Sequence, residues 1–479
     1  TAILYAAFSH WGYDDPFITY RYAHNLTQGE GLVYNPGMRV LSTTTPLFAL
    51  LLAGLSTTGI PIPHLAVLVG AFSLGMGGLF LWDLARSWEA PLVGWVGLTL
   101  YPTFALLLTT LSSETPLYLA FILGAFASYA RGRYVMSAIL SALAVLARAD
   151  GALVPLILGV DYLVRMRRPI PWRSLAAFVV VAGPWFLFAW SYYGSPIPVT
   201  LSAKQHQGAL QGSQLFAPGF VSLVKAYASN WLNWLEASLA LLGLLFLIWR
   251  GRRWGLPLAW TGLYFGAYTA LGVTRYFWYY APLAPGFVIL IGLGLNALAG
   301  PGKPKSGENS SNESRGPSLV ARLYSLFSLT LAVALLATLA IRQGLNMAEI
   351  REQVDPRLSI YRAVGQWLHE NTPPQASVGT LEVGIIGYYA QRIMVDFAGL
   401  IQPDIAAHLT AESDYQQAAV WAVDHYHPDY LVLHEGIFPQ LRSHYVDEQC
   451  EPIRTFSGQN FAYNTDMQIF ACQGETPGS

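Results

Sequence analysis

Gly12-Tyr13-Asp14-Asp15-Pro16-Phe17-Ile18-Thr19-Tyr20-Arg21-Tyr22-Ala23 places two adjacent carboxylates just after a short apolar run. A carboxylate in such a position can take a proton from a hydroxyl, the work of a general base. Further ionisable residues stand in breaks between later apolar runs. Glu114 sits in Ser112-Ser113-Glu114-Thr115-Pro116, and Arg148 and Asp150 sit in Ala147-Arg148-Ala149-Asp150-Gly151. Lys204 and His206 follow Gly194-Ser195-Pro196-Ile197-Pro198-Val199-Thr200, and Arg275-Tyr276 precede another apolar run. Charged groups at membrane depth are costly and usually functional. Arg and Lys stabilise a departing phosphate, Arg by paired hydrogen bonds. Acids and cations together fit transfer of a group from a phosphate leaving group to a hydroxyl acceptor, with inversion if the displacement is single and in line. A divalent metal, Mg or Mn, held by Asp14 and Asp15 is compatible with this chemistry but not required by it.

Each of these residues also has a structural reading. Arg148 and Asp150 can pair with each other across a helical hairpin. Arg275 and Tyr276 can anchor at the membrane interface. Lys204 can be a solvated loop charge, and Glu114 can cap the helix that starts at Pro116. Asp14-Asp15 can cap a loop helix, although two carboxylates exceed what capping needs. His10, His24 and His64 read as packing or interfacial residues, and no His/Cys/Asp spacing resembles a zinc site. Gly75-Met76-Gly77-Gly78 lies inside an apolar run, where small residues serve helix packing instead of nucleotide binding.

The elements that must position these groups are membrane helices. Of 479 residues, 53% are hydrophobic and 11% charged, against about 25% charged in soluble domains. The near-neutral net charge of −1 and the lack of a basic tract argue against nucleic acid as a partner. Apolar runs at 65–85, 91–111, 116–130, 134–147, 152–165, 174–193, 236–249, 255–272, 277–299 and 319–341 predict helices. The run Thr1 to Trp11 is too short to span and reads as the truncated end of a first helix, giving about eleven spans. Arg86, Arg131 and Arg133, Arg165 to Arg168, Arg250 to Arg253, then Lys303 and Lys305 fall in alternate loops, which the positive-inside rule assigns to the cytoplasm. The acids and cations above then share the outer face. Leu47 to Leu55 does not fit the alternation and reads as an amphipathic or re-entrant helix in the outer loop 12–64. Residues 300–318 read as a disordered cytoplasmic linker.

After 341 the pattern changes to that of an extracytoplasmic α/β domain, 342–479. Helices are predicted over Leu358 to Glu370 and Asp414 to Tyr426. Strands are predicted over Ser377 to Gly379, Arg392 to Asp396, Tyr430 to His434 and Gln468 to Cys472. Cys450 and Cys472 either pair in an oxidising compartment or remain two buried thiols.

The segment Asp14 to Ala23, continuing through Gly31-Leu32-Val33-Tyr34-Asn35-Pro36-Gly37 and Thr45-Pro46-Leu47, resembles the first outer loop of GT-C glycosyltransferases. The likeness is closest to bacterial polyprenyl-phosphate-sugar-dependent enzymes such as mycobacterial terminal arabinofuranosyltransferases. Ser113-Glu114-Thr115-Pro116-Leu117 resembles the family's Glu-Thr step. Arg148-Ala149-Asp150-Gly151 resembles its Arg-Pro-Glu/Asp-Gly step, with Ala149 in place of Pro. Pro196 to Lys204 resembles its Pro-Asn-Thr…Ala-Lys step, with Val199 where Asn is common. Gly384 to Leu400 resembles its outer domain.

The resemblance implies a mainly helical polytopic GT-C bundle with residues 1–341 as the transferase domain. It implies a plasma-membrane enzyme, a polyprenyl-phosphate-sugar donor, a glycan or lipid acceptor, and a catalytic Asp14 or Asp15. Asp15-Pro16 is also similar to the acidic-Pro step of oligosaccharyltransferase catalytic subunits, which favours Asp15 as base. Arg21, Glu114, Arg148, Asp150, Lys204, His206, Arg275 and Tyr276 are then the candidates for binding donor phosphate and substrate. A transporter or flippase of a lipid-linked sugar is a rival reading. It is disfavoured by the lack of an internal repeat and by ionisable groups gathered at one face. A non-catalytic assembly factor is a third.

Overall fold

The computed structural model describes residues 1–210, 213–300, 319–409 and 415–472. The expected linker, from residue 301 onward, lies outside them.

Nearly every apolar run forms a helix, among them Ile62–Ser87, Thr115–Ala130, Tyr134–Ala147, Leu153–Val160, Trp172–Tyr193, Asn233–Arg250, Gly255–Leu271, Ala284–Leu298 and Leu319–Glu352. The 91–111 run is broken into Pro91–Thr99, a 3-10 turn at Tyr101–Thr103, and Ala105–Leu108. Pro102 has no N–H with which to continue the ladder. Among the described residues, four helical stretches are long and apolar enough to cross a membrane: Ile62–Ser87, Trp172–Tyr193, Phe277–Leu298 and Arg322–Asn371. Phe216–Ser229 and Asn233–Trp249, bent at 119°, make a fifth if taken as one. Eleven crossings therefore do not follow from helix length. Thr115–Ala130 has 16 residues and Tyr134–Ala147 has 14, short of the roughly 20 that a full span needs.

The segment 12–64, expected from the sequence to be an outer loop and so named below, holds two helices. Pro16–Thr27 opens on Asp15 with Pro16 in the first turn, where its missing N–H costs nothing. Pro46–Ser56 buries Phe48, Ala49 and Leu52 completely while Leu50 stays 44% exposed. It covers the run Leu47 to Leu55.

The C-terminal part carries a five-stranded sheet of β1 (Ser377–Thr380), β2 (Ile393–Asp396), β3 (Tyr430–His434), β4 (Cys450–Phe456) and β5 (Met467–Cys472). Its order is β2-β1-β3-β5-β4, parallel among the first three and antiparallel thereafter. The helices Arg357–Asn371 and Gln416–Tyr426 lie where the periodicity predicts. The helix Leu319–Glu352 runs straight through residue 341, where the composition changes. Arg342 there pairs with Glu236 at 3.6 Å and donates to the Leu232 carbonyl at 2.7 Å.

β4 is absent from the sequence reading. As an edge strand with Glu451, Pro452 and Arg454 exposed, it shows no apolar alternation. Cys450 and Cys472 face each other across β4 and β5 and form a disulfide. The bridge closes a loop over a sequence separation of 22. Replacing Cys450 with Ser should destabilise this domain by about 2–4 kcal/mol. Urea unfolding of parent and variant checks this, and reduction of the parent should reproduce the shift.

The outer loop and the C-terminal domain share one core. Phe17, Tyr20 and Tyr22 pack with Tyr361, Val364, Ile385 and Ile386. Glycines at 384 and 387 let the domain approach closely, since a Cβ at either would meet Asp14 or the Tyr34 hydroxyl. This docking fixes the end of the outer loop that carries the two aspartates.

Candidate functional site

A cavity of about 380 Å³ opens where the outer loop meets the helix ends. Asp15, Glu114, Arg148, Asp150 and Lys204 all line it, together with Tyr13, Tyr268, Trp278 and Tyr279. Residues far apart in the sequence thus meet in one place. All but Lys204 are delivered by breaks at helix ends. Asp15 precedes Pro16–Thr27, Glu114 precedes Thr115–Ala130, Arg148 follows Tyr134–Ala147, and Lys204 lies on Thr200–Ala209.

Two charged groupings face the cavity. Asp15 Oδ1 lies 3.2 Å from Lys204 Nζ. Lys204 also stands over the rings of Tyr276 and Trp278, at 4.3 and 5.7 Å from their centroids. Those rings stack on each other at 4.5 Å, and Tyr13 stacks on Trp278 at 4.9 Å. Burial pulls the Lys204 ammonium down, but Asp15 and the phenol of Tyr276 outweigh it and hold its pKa above the ordinary lysine value. In the second grouping Arg148 donates to Glu114 Oε1 at 3.0 Å, to Asp150 Oδ2 at 2.9 Å and to the Tyr268 hydroxyl at 2.6 Å. The Tyr268 hydroxyl donates in turn to Asp150 Oδ2 at 2.7 Å. The guanidinium is therefore surrounded by acceptors of its own chain.

The other sequence candidates do not enter the cavity. Asp14 turns away from it. Its carboxylate accepts the backbone N–H groups of Gly384 at 3.1 Å and Ile385 at 2.7 Å, fastening the outer loop to the C-terminal domain. Arg21 is buried at 2% exposure and donates to the carbonyls of Tyr34, Gly387 and Arg392. It is a clamp between the same two parts, buried away from the cavity. His206 is exposed, with Nδ1 against the Ser202 carbonyl. Arg275 is exposed and packs beside Gly219. Tyr276 supports Lys204 from behind and contacts Gln207 at 3.1 Å.

A metal held by both aspartates, which the sequence allows without requiring it, does not fit the pair. Asp14 and Asp15 point apart, and both oxygens of Asp14 are taken by backbone amides. Among the described residues no group of three His, Cys, Asp or Glu side chains comes together to hold an ion.

Several cavity residues are missing from the sequence reading. The run Tyr276-Phe277-Trp278-Tyr279-Tyr280 is visible as an aromatic cluster, and Trp278 and Tyr279 could have been taken from it. Tyr268 gives no signal inside an apolar helix. Thr19, Thr43 and Thr45 line the wall and hydrogen-bond one another at 3.1–3.3 Å. Glu382, beside Asp14 at the docking contact, is also missed. Burial pushes both the Glu382 and Asp14 carboxyls up; the Asp14 charge raises Glu382 further and the Asp15 charge raises Asp14, with Arg357 opposing both. A raised carboxyl pKa means that the folded chain holds a proton the unfolded chain has lost. Stability is then lost as pH rises through the folded values. The thermal midpoint should be higher at pH 5 than at pH 8. Glu382→Gln should flatten that dependence, and an unchanged slope in the variant would remove Glu382 as its source.

The chain shares its fold with solved structures of other proteins. ArnT from Cupriavidus metallidurans in the apo state superposes with a TM-score of 0.63 at 14% identity, over 98% of this chain and 95% of that one. The same protein bound to undecaprenyl phosphate gives a TM-score of 0.60 at 14% identity, over 100% of this chain and 97% of that one. The Archaeoglobus fulgidus oligosaccharyltransferase gives 0.54 at 12% identity, over 88% of this chain and 64% of that one. Residues 346–470 match the family described as a domain of unknown function, DUF8728. No curated protein matches the chain.

Proposed function

We propose that the chain is a membrane glycosyltransferase that moves a sugar from a polyprenyl-phosphate donor to a hydroxyl of a cell-envelope glycan or lipid. The reaction takes place on the outer face of a bacterial plasma membrane, where the C-terminal domain also lies. The observation that carries this reading is the meeting of Asp15 and Lys204 in one cavity, 3.2 Å apart, at the end of the outer loop. The fold shared with ArnT, whose structure includes undecaprenyl phosphate, supports a lipid-linked donor.

In this reading Asp15 takes the proton of the acceptor hydroxyl. The acceptor oxygen forms its bond to the anomeric carbon as the bond from that carbon to the phosphate oxygen breaks, and the phosphate leaves with the electron pair. Inversion follows from the single displacement. Lys204 meets the phosphate charge. Arg148, held by Glu114, Asp150 and Tyr268, builds the wall behind the site instead of binding the donor directly. The stacked rings of Tyr13 and Trp278, both lining the cavity, offer an apolar face to a sugar. Arabinose is the first donor to try, because the outer-loop motif resembles that of terminal arabinofuranosyltransferases.

The test is transfer of radiolabelled arabinose, mannose, glucose or galactose from polyprenyl-phosphate donors to a glycan acceptor by protein in nanodiscs. Transfer from one donor is the expected result. No transfer from any donor, together with donor flipping in proteoliposomes, would give the chain to the transporter class.

A further inference from the structure

The helix ends far from the cavity carry a second set of charges. The Tyr134–Ala147 helix finishes at Arg148 and starts at Arg133. Its 14 residues place those ends about 21 Å apart at 1.5 Å per residue. Trp172–Tyr193 runs the same way, from Trp172 to the segment that leads into Lys204. Between the two starting ends lies a groove of about 680 Å³, lined by Arg133, Tyr134, Met136, Ile139, Trp172 and Arg173.

The groove is positive and mostly apolar. Arg131 and Arg165 nearby are each paired, with Asp83 and Asp161. Among the described residues neither Arg133 nor Arg173 makes an ion pair, and both are exposed. Trp172 is 68% exposed, and Leu175 and Val179, 46% and 56% exposed, continue along the same helix. Positions 172, 175 and 179 fall on one helical face. An apolar stripe therefore leads away from two unpaired guanidinium groups. A phosphate headgroup with acyl chains fits both parts at once, and basic pockets between membrane helices take such headgroups.

We propose that this groove binds an anionic phospholipid, with Arg133 and Arg173 on its phosphate, Trp172 at the headgroup level and an acyl chain along Leu175 and Val179. The site stands at the opposite helix ends from the cavity and is separate from any donor bound there.

The test is native mass spectrometry of the full chain released from detergent, titrated with phosphatidylglycerol or phosphatidylcholine. Parent protein should retain phosphatidylglycerol and not phosphatidylcholine. The double variant Arg133→Gln/Arg173→Gln should bind about tenfold more weakly. Arg133→Lys/Arg173→Lys should keep most of the binding. Arg252→Gln/Arg253→Gln, at another exposed basic turn, should leave it unchanged. Equal retention by the Gln double variant, or equal binding of phosphatidylcholine, would overturn the proposal. Displacement of phosphatidylglycerol by lower concentrations of inorganic phosphate or polyprenyl phosphate would give the groove to those anions and overturn the phospholipid assignment.

Discussion

Asp15→Asn is expected to lower sugar transfer by about 10²–10⁴-fold with the fold unchanged. Among the described residues Asp15 makes an ion pair with Lys204 alone, at 3.2 Å, and its side chain, which lines the cavity, is 34% exposed. Asn preserves the shape and can still accept the Lys204 N–H through its carbonyl oxygen. It cannot take a proton from an acceptor hydroxyl. The loss should therefore appear in kcat, with donor affinity near that of the parent and a thermal midpoint lowered less than by Asp14→Asn, since Lys204 keeps an amide oxygen in place of its carboxylate partner. Asp14→Asn should behave in the opposite way. The Asp14 carboxylate holds two backbone N–H groups of the C-terminal domain. Its replacement should weaken docking and lower the thermal midpoint, with transfer reduced less than in the Asp15 variant. Transfer that survives Asp15→Asn and is lost in Asp14→Asn would reverse the two roles.

The contrast between these neighbours shows what the sequence makes legible. Composition and run length disclose the helices, because burial in a membrane demands long apolar stretches whatever the detailed packing. The charged breaks disclose where a site is assembled, since Glu114, Arg148, Asp150 and Lys204 all reach the cavity. The direction in which a side chain points is another matter. Asp14 and Asp15 are consecutive, yet one faces the cavity and the other faces the domain interface, because the chain turns between them into the Pro16–Thr27 helix. Arg21 lies one and a half turns further on and is buried against three carbonyls from distant residues. Those partners are fixed only by docking of the C-terminal domain. Tyr268 belongs to the same class. It reads as one more apolar residue of its helix until the fold places its hydroxyl between Arg148 and Asp150. β4 is hidden for a different reason, since an exposed edge strand closed by a disulfide needs no apolar alternation.

Arg148→Met is expected to destabilise the chain by about 3–5 kcal/mol, the cost of leaving a buried charge without its partner. Arg148 is 6% exposed, and its guanidinium stands between the carboxylates of Glu114 and Asp150 with side-chain exposures of 14% and 13%. Removing it strands two acids in one wall. Arg148→Lys should recover little, because a single ammonium cannot reproduce a planar fork that serves both acids and Tyr268. Glu114→Gln/Arg148→Met/Asp150→Asn removes all three charges together and should recover most of the lost stability. Urea unfolding in detergent measures each variant, and a parent-like midpoint for Arg148→Met would show that the cluster does not support the fold. The triple variant also separates scaffold from chemistry. If Arg148 only builds the wall behind Asp15 and Lys204, transfer should return along with stability. A triple variant that is stable and inactive would instead place the guanidinium on the donor phosphate, with Glu114 and Asp150 as the groups it leaves when the donor enters.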